Sequence, residues 1–263
     1  MGGGTWMRAW RPAVPSVREV LHARMTDHAY PAHAHADWAL MLVDEGAVVY
    51  ELGGRRRIAD RSSATLLPPG IAHDGRAAPR SEGFSKRVAY LDGDWMPESV
   101  AGLVVDMPGR TDLLAATRRF HFALAEPGEE HAAEHALLGV ADVLVGAAHG
   151  RPRPLRDDVL ARRLRDLLES HLVDGISLRD AGLALGSHPG HLSRSFTASF
   201  GMPPHRYLTS RRVDLARELL LRGEKPSAAA ASAGFHDQAH LTRHFRRLLG
   251  TTPARFAGAR RAA

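Results

Sequence analysis

Three histidines have the types and spacing to act as a set. His33 and His35 form an H-x-H pair in "HAHADWALMLVDEG", and His73 follows in "LPPGIAHDG". Two or three neutral imidazoles can bind zinc, nickel or copper. They can equally line a small-molecule pocket or satisfy local hydrogen bonds, which is the preferred reading; if a metal does bind, His33, His35 and His73 are its ligands. Trp38, Met41 and Tyr50 lie nearby as pocket or core side chains, core being the simpler assignment for any one of them. "HDGR", His73 to Arg76, adds ionisable groups. A second chemistry is carried by guanidinium groups. Arg194 and Arg243 occupy matching places in "GSHPGHLSRSFTASFGMPPHRY" and "GFHDQAHLTRHFRRLLGTTPARF". An arginine so placed can pair bidentately with guanine O6 and N7. No Ser-His-Asp order, P-loop or dinucleotide fingerprint is present, and no cofactor is implied.

The histidines fall in a segment that reads as β-structure. Two apolar runs, Trp38–Val43 and Ala47–Leu52, flank Asp44-Glu45-Gly46, as in a hairpin. "SATLLPPG" reads as a strand stopped by its prolines, and "FSKRVAYL" as another strand. Short strands at close spacing predict a small sandwich or barrel. After Pro108-Gly109 the pattern turns helical. Leu113, Leu114, Thr117, Phe120 and Leu124 share one side of a first helix. Ala133, Leu137, Val140, Ala141 and Leu144 share one side of a second. "GRPRPLRDD", Gly150 to Asp158, reads as a linker.

From Val159 onward the pattern is one of short helices, and two stretches superpose at an offset of 49. His191, Leu192, Arg194, Phe196, Gly201 and Pro204 match His240, Leu241, Arg243, Phe245, Gly250 and Pro253, and Tyr207 matches Phe256. Leu192, Phe196 and Phe200 are spaced for one apolar stripe, as are Leu241, Phe245 and Leu249; the arginines project away from it. Each unit reads as a helix-turn-helix, supported by "LRDAGLALG" in the first and "SAAAASAG" in the second. Between them, Pro204–Leu221 reads as a rod of about 27 Å at 1.5 Å per residue. Its polar side carries Arg211, Arg212 and Arg217. A solenoid would need about three repeats or more, so one monomer reading two successive major-groove segments accounts better for the duplication. Charge agrees: residues 1–154 carry a net −2 and residues 155–263 a net +8. Cysteine is absent, which fits a reducing cytoplasm and excludes a disulfide framework. No signal peptide or apolar run of membrane-span length is read.

The segments "GMPPHRYLTSRRVDLARELL" and "GFHDQAHLTRHFRRLLGTTPARF" resemble the AraC-type transcriptional regulators, over about Leu164–Ala257. The resemblance implies a seven-helix DNA-binding domain with two helix-turn-helix units. It implies base reading from Gly190, Ser193 and Arg194 in the first unit and from Asp237, Gln238, Thr242 and Arg243 in the second. His191 and Thr197 can also reach DNA, and Arg246 and Arg247 look like phosphate contacts. Gly190 stands where family members often carry a larger side chain. The H-x-H and P-x-G-x-x-H pattern is similar to the cupin motifs, whose histidines hold a divalent metal together with a glutamate; here the corresponding positions near Ala39 and Leu40 are apolar. The expected fold class is therefore α+β multidomain. It has a cupin-like β-barrel over 1–108, a dimerisation or relay segment over 109–150, a linker over 151–158 and an all-α DNA-binding domain over 159–263. The expected function is effector-controlled, sequence-specific DNA binding, with His33, His35, Trp38, Tyr50 and His73 at the effector. Double-stranded DNA, a small-molecule effector and a second copy of the chain are the expected partners, with RNA polymerase a further candidate and no membrane. The competing reading is a metal-dependent cupin enzyme with an accessory helical domain, which the missing glutamate weakens.

Overall fold

The computed structural model describes residues 4–79, 81–96, 110–148 and 159–259. The N-terminal part contains eight antiparallel strands: β1 (Trp6–Trp10), β2 (Val17–Met25), β3 (Tyr30–His33), β4 (Trp38–Leu52), β5 (Arg55–Asp60), β6 (Ala64–Leu67), β7 (His73–Ala77) and β8 (Phe84–Leu91). Their order is β1-β2-β8-β4-β7-β3, with β5 and β6 also paired to β4. β4 is the organising strand. Its first half pairs with β8 and β6 and its second half with β5 and β7.

The expected hairpin at Asp44-Glu45-Gly46 is not one. β4 runs unbroken for 15 residues through that stretch. The ladder to β8 shifts register between Val43 and Glu45, and Gly46 sits at φ +69°. A Cβ on Gly46 would lie 2.2 Å from the Gly83 carbonyl oxygen, so the glycine lets two strands close on each other at a barrel corner. The turn residues bend the strand because its second half finds new partners instead of folding back on the first. "SATLLPPG" and "FSKRVAYL" do contain the strands β6 and β8.

The sheet is buried on both faces, which is why β4 opens with an unbroken apolar run. Ala39, Met41, Val43, Leu21, Ala23, Val88 and Tyr90 point to the inner core. Trp38, Leu40, Val20, Ala89 and Leu91 alternate with them and point outward. The outer face is covered by α1 (Thr111–Ala125) and α2 (Glu130–Ala148), through Leu113, Phe120, Leu124, Ala133, Leu137, Val140 and Leu144.

The C-terminal part comprises α3 (Val159–Ser170), α4 (Leu178–Leu185), α5 (Pro189–Phe200), α6 (Pro204–Leu221), α7 (Pro226–Ser232), α8 (Gln238–Leu249) and α9 (Pro253–Gly258). Among the described residues these are the seven helices that the resemblance implies, and their boundaries follow local rules. Ser177 caps α4 by accepting from the Asp180 N–H at 3.1 Å. Gly201 and Gly250 end α5 and α8 in the left-handed conformation, at φ +76° and +71°. Pro204 and Pro253 stand in the first turns of α6 and α9. The linker read at Gly150–Asp158 and the boundary at Pro108-Gly109 lie outside the described residues.

One expectation about α6 is overturned. Arg211 and Arg217 do not face solvent; both are buried, while Arg212 is half-buried and donates to the Leu172 and Val173 carbonyls at the end of α3. The barrel covers Arg217, whose partner is Glu19 of β2, whereas Arg211 and Arg212 are covered within the helical domain by Glu169 and by the Leu172 and Val173 carbonyls. The inner barrel core and the core of the helical domain form one continuous apolar cluster.

Candidate nucleic-acid interface and effector site

α5 and α8 each bury one stripe and expose the rest. Leu192, Phe196 and Phe200 are buried on α5, and Leu241, Phe245, Leu248 and Leu249 on α8. Arg194, Arg243, Arg246, Arg247, Gln238 and His191 are exposed, and Gly190, Ser193, Thr197 and Thr242 are half-exposed. The expected DNA-facing positions thus lie on open helix surface, except that Thr197 lines a cleft between α5 and the barrel. Two have local duties as well. Asp237 is the N-cap of α8, accepting from the His240 N–H at 2.6 Å, and this hydrogen bond holds its carboxylate below its ordinary range. The Thr242 and Thr197 hydroxyls donate to carbonyls one turn back. At Gly190 an added Cβ would come 3.4 Å from Arg194 Nη1, so the missing side chain gives that arginine room. α6 spans 18 residues, the length expected of a rod joining the two units.

The other face of the helical domain is pressed onto the barrel. Three contacts tether its ends. The Ala72 N–H donates to the Phe200 carbonyl (3.0 Å), the Ala34 N–H to Ser210 Oγ (3.4 Å), and His28 Nε2 to the Leu248 carbonyl (3.4 Å). Between them runs an ionic network. Arg217 enters the barrel mouth, pairs with buried Glu19, lies 4.5 Å over the Tyr90 ring and reaches Asp214 at 3.4 Å. Arg211 bridges Glu169 and Asp214 at 2.9 and 3.0 Å. His35 Nδ1 lies 2.9 Å from Asp214 Oδ1. Burial works against the Asp214 carboxylate, but His35, Arg211 and Arg217 together hold its pKa below the ordinary value. Glu19 goes the other way: burial raises it despite Arg217.

Two clefts open along this seam. One, of about 410 Å³, is lined by Arg11, Arg18, Glu19, His35, Tyr90 and Arg217 among others. Asp37 also faces it, and burial with Asp214 nearby pushes Asp37 up to about 7. The second, of about 440 Å³, lies between His73 and the end of α5. His33, His35 and His73 are all buried and come together, with ring centroids 4.5 to 5.2 Å apart. Cross-strand pairing of His33 with His73 in β3 and β7 does part of this. Burial, then the neighbouring imidazoles, drives His33 well below its ordinary pKa and His73 to about 3.

The remaining effector candidates divide by sheet face. Tyr50 is in the inner core, but Trp38 is not: it points outward against α1 and α2 and donates from Nε1 to the Gly93 carbonyl at 3.2 Å. Strand alternation puts it on the side opposite the histidines, so Trp38 is removed from the site. Asp74 of "HDGR" accepts from the Glu51 N–H at 2.6 Å. Four residues were not foreseen: Glu19, Lys86, Asp214 and Arg217. Lys86 Nζ lies 4.0 Å over the Tyr30 ring, and burial, then Arg217, lowers its pKa to about 7. Of these four, Asp214 and Arg217 had a signal: with Arg211 they form alternating charges three residues apart along one helix stripe.

Residues 16–164 match the family model of the AraC-like ligand binding domain, and residues 183–259 match that of a helix-turn-helix domain. The chain is 25% identical over 236 residues to the HTH-type transcriptional regulator YbfI of Bacillus subtilis, covering 81% of each. It is also 25% identical over 219 residues to the probable transcriptional regulator LumQ of Photobacterium leiognathi, covering 80% of this chain and 88% of that one. Among solved structures, ToxT of Vibrio cholerae superposes with a TM-score of 0.61 at 12% identity, over 97% of this chain and 98% of the other. Another ToxT structure, with an unsaturated fatty acid bound, gives 0.60 over 97% and 95%.

Proposed function

Because the chain belongs to the AraC family of DNA-binding transcriptional regulators, with that family's ligand-binding domain preceding its helix-turn-helix domain, we propose that a small-molecule effector held at the barrel–helix seam controls its DNA binding. One observation carries this reading. The helix that joins the two helix-turn-helix units, α6, is also a wall of the first cleft and supplies Asp214 and Arg217 to it. A molecule in that cleft touches the spacer between the two reading helices. It shifts DNA affinity by as much as its own affinity differs between docked and undocked arrangements. The structure of ToxT with a fatty acid bound is a precedent for a small organic molecule in a protein of this fold.

On the DNA side, Arg194 and Arg243 read bases, with Gly190, Ser193, Asp237, Gln238 and Thr242 around them. Arg246 and Arg247 hold phosphates, which fix position without reading sequence. His191 and Thr197 approach the same groove. The protein acts on DNA in the cytoplasm, as a homodimer through α1 and α2, where Phe122 and Leu138 leave apolar surface exposed. No helix among the described residues is long and apolar enough to cross a membrane. The family is one of regulators, so no enzymatic turnover is assigned to the barrel.

The test begins with a genome-wide binding map of the full chain, read beside transcript changes on deletion, which yields operators. Operator affinity is then measured with and without a small-molecule extract of the source cells. A shift of at least tenfold, abolished by Leu215→Trp in the cleft wall, is expected. An affinity indifferent to every fraction of the extract would remove effector control from the proposal.

A further inference from the structure

The three buried histidines are organised beyond what lining a pocket requires. His33 Nδ1 lies 2.8 Å from the Pro31 carbonyl and His73 Nδ1 lies 3.1 Å from the Ile71 carbonyl. A carbonyl can only accept, so each Nδ1 carries the proton. His35 Nδ1 faces the Asp214 carboxylate at 2.9 Å, also an acceptor. In the neutral ring of each residue, Nε2 is then an unprotonated lone pair. One imidazole nitrogen from each residue lies within 4.8 Å of those of the other two. Three imidazoles anchored through Nδ1 and gathered this closely form a donor set that one metal ion can bridge. Donation of the far nitrogen to a carbonyl or carboxylate is also how metal-binding imidazoles are fixed in orientation.

We propose that His33, His35 and His73 form a three-histidine site for a divalent transition metal, and that its occupancy is transmitted to the DNA-binding domain through the His35–Asp214 hydrogen bond. The transmission rests on the reading that the barrel–helix seam controls DNA binding; the site itself does not. Three nitrogen donors and no carboxylate select a borderline ion of the zinc, cobalt, nickel or copper class over magnesium or calcium. An ion at about 2.0–2.1 Å from each nitrogen needs the rings to draw in by less than about 1 Å. Neutral imidazoles lose no proton on binding. His35 lines one cleft and His73 the other, so solvent reaches the set from two sides. A fourth coordination position is left for water or for an anionic ligand, which Lys86 and Arg217 nearby would favour.

The coupling follows from the chain of contacts. A dication on Nε2 of His35 makes its Nδ1–H more acidic and strengthens the bond to Asp214. Asp214 belongs to α6 and is also held by Arg211 and Arg217. Metal therefore favours the arrangement in which α6 is docked on the barrel. His35 and Asp214 are 179 residues apart, and the bond crosses from one domain to the other.

The experiment uses the full chain without an affinity tag, stripped by a chelator and returned to chelator-free buffer. Zn²⁺ is added, excess is removed by gel filtration and bound zinc is counted; Co²⁺ is titrated separately and followed by visible absorption. One zinc per chain and tetrahedral cobalt bands that zinc displaces are expected. H35Q and H73Q should each abolish the bands while keeping the far-ultraviolet circular dichroism of the metal-free wild type. Asp214→Asn retains all three ligands, so it should still bind metal, about 10–100-fold more weakly. In the wild type, zinc should shift operator affinity at least tenfold, and in Asp214→Asn it should not. Less than a tenth of an equivalent of metal on the wild type, or full metal on the H35Q/H73Q double variant, overturns the site. Stoichiometric metal with unchanged operator affinity overturns the coupling. Failure of the chain to bind any operator, with or without zinc, strikes the regulatory reading and leaves the metal count standing as its own result.

Discussion

Arg217 is the most informative residue to remove from the seam. Its side chain is 4% exposed and that of Glu19 is 8%, so Arg217→Met strips the partner from a nearly buried carboxylate. Breaking a buried pair from one side costs about 3–5 kcal/mol. Loss of the cation over Tyr90 adds on the order of 1 kcal/mol. Glu19→Gln should cost less, about 1–3 kcal/mol, because Arg217 keeps Asp214 at 3.4 Å. The double variant should be less destabilised than the two single costs together, since neither charge is then left alone. The chain provides separate probes for its two parts. All four tryptophans, Trp6, Trp10, Trp38 and Trp95, lie in the first 96 residues, whereas most helix lies in residues 159–259. Urea unfolding followed by tryptophan fluorescence and by ellipticity at 222 nm should coincide in the wild type and separate in Arg217→Met as the domains uncouple. The pH sign is fixed by Glu19. Burial raises its pKa from the ordinary 4.5, and losing Arg217 removes the main influence opposing that rise. A raised carboxyl contributes stability below 4.5 that is lost as pH climbs through the folded value. The deficit of Arg217→Met should therefore be largest at alkaline pH and shrink toward pH 4.5. A deficit below about 1 kcal/mol, the range of an exposed pair, with coincident transitions and no pH trend, would refute the claim that this pair holds the domains together.

On DNA, Arg243→Ala and Arg194→Ala should each cost about 1–3 kcal/mol on the operator and relax base preference within one half of it. Titration against single-base operator variants at fixed salt checks this, and uniform loss across the panel would reassign both residues to phosphate contact. Arg246→Ala or Arg247→Ala should weaken all sequences alike and reduce the slope of log affinity against log salt by about 1. His121 is fully buried, with Nε2 donating to the Leu40 carbonyl at 3.2 Å, and burial, then Arg87, lowers its pKa to about 3. The folded state thus refuses a proton that the unfolded state takes below 6.5, so its contribution is present above pH 6.5 and lost as pH falls toward 3. His121→Leu should lower stability at pH 7.5 yet flatten the acid limb of the stability curve by up to about 1.4 kcal/mol per pH unit; an unchanged limb in denaturant melts from pH 7.5 to 4 would contradict the buried neutral ring.

The repeat at an offset of 49, the glycine stops and proline starts, and the buried stripes on α5 and α8 were all legible in the sequence. They are set by contacts within one or two helical turns, and a period of 3.6 records them directly. The two-domain division was legible for the same reason, as was the family. What the sequence did not determine is what lies against each face. Trp38 and Ala39 are adjacent in an apolar run, yet they enter different cores, because the same pattern describes either side of a sheet covered twice. Asp44-Glu45-Gly46 has the composition of a hairpin turn, but β4 continues through it, since β5 and β7 supply partners for its second half. Arg211 and Arg217 read as a solvated stripe because charge at helical spacing has that meaning when nothing covers it. Arg217 is buried against Glu19, 198 residues away, in a barrel mouth that exists only once the strands have closed, and Arg211 against Glu169 of α3. The three histidines were recognisable by type, but their convergence depended on the register of β3 on β7, and the acceptor that orients His35 came from the far domain. A local pattern specifies which side of an element is apolar or charged; tertiary structure alone decides which distant surface meets it, and at this seam that decision brings the candidate effector site against the helix between the two DNA-reading units.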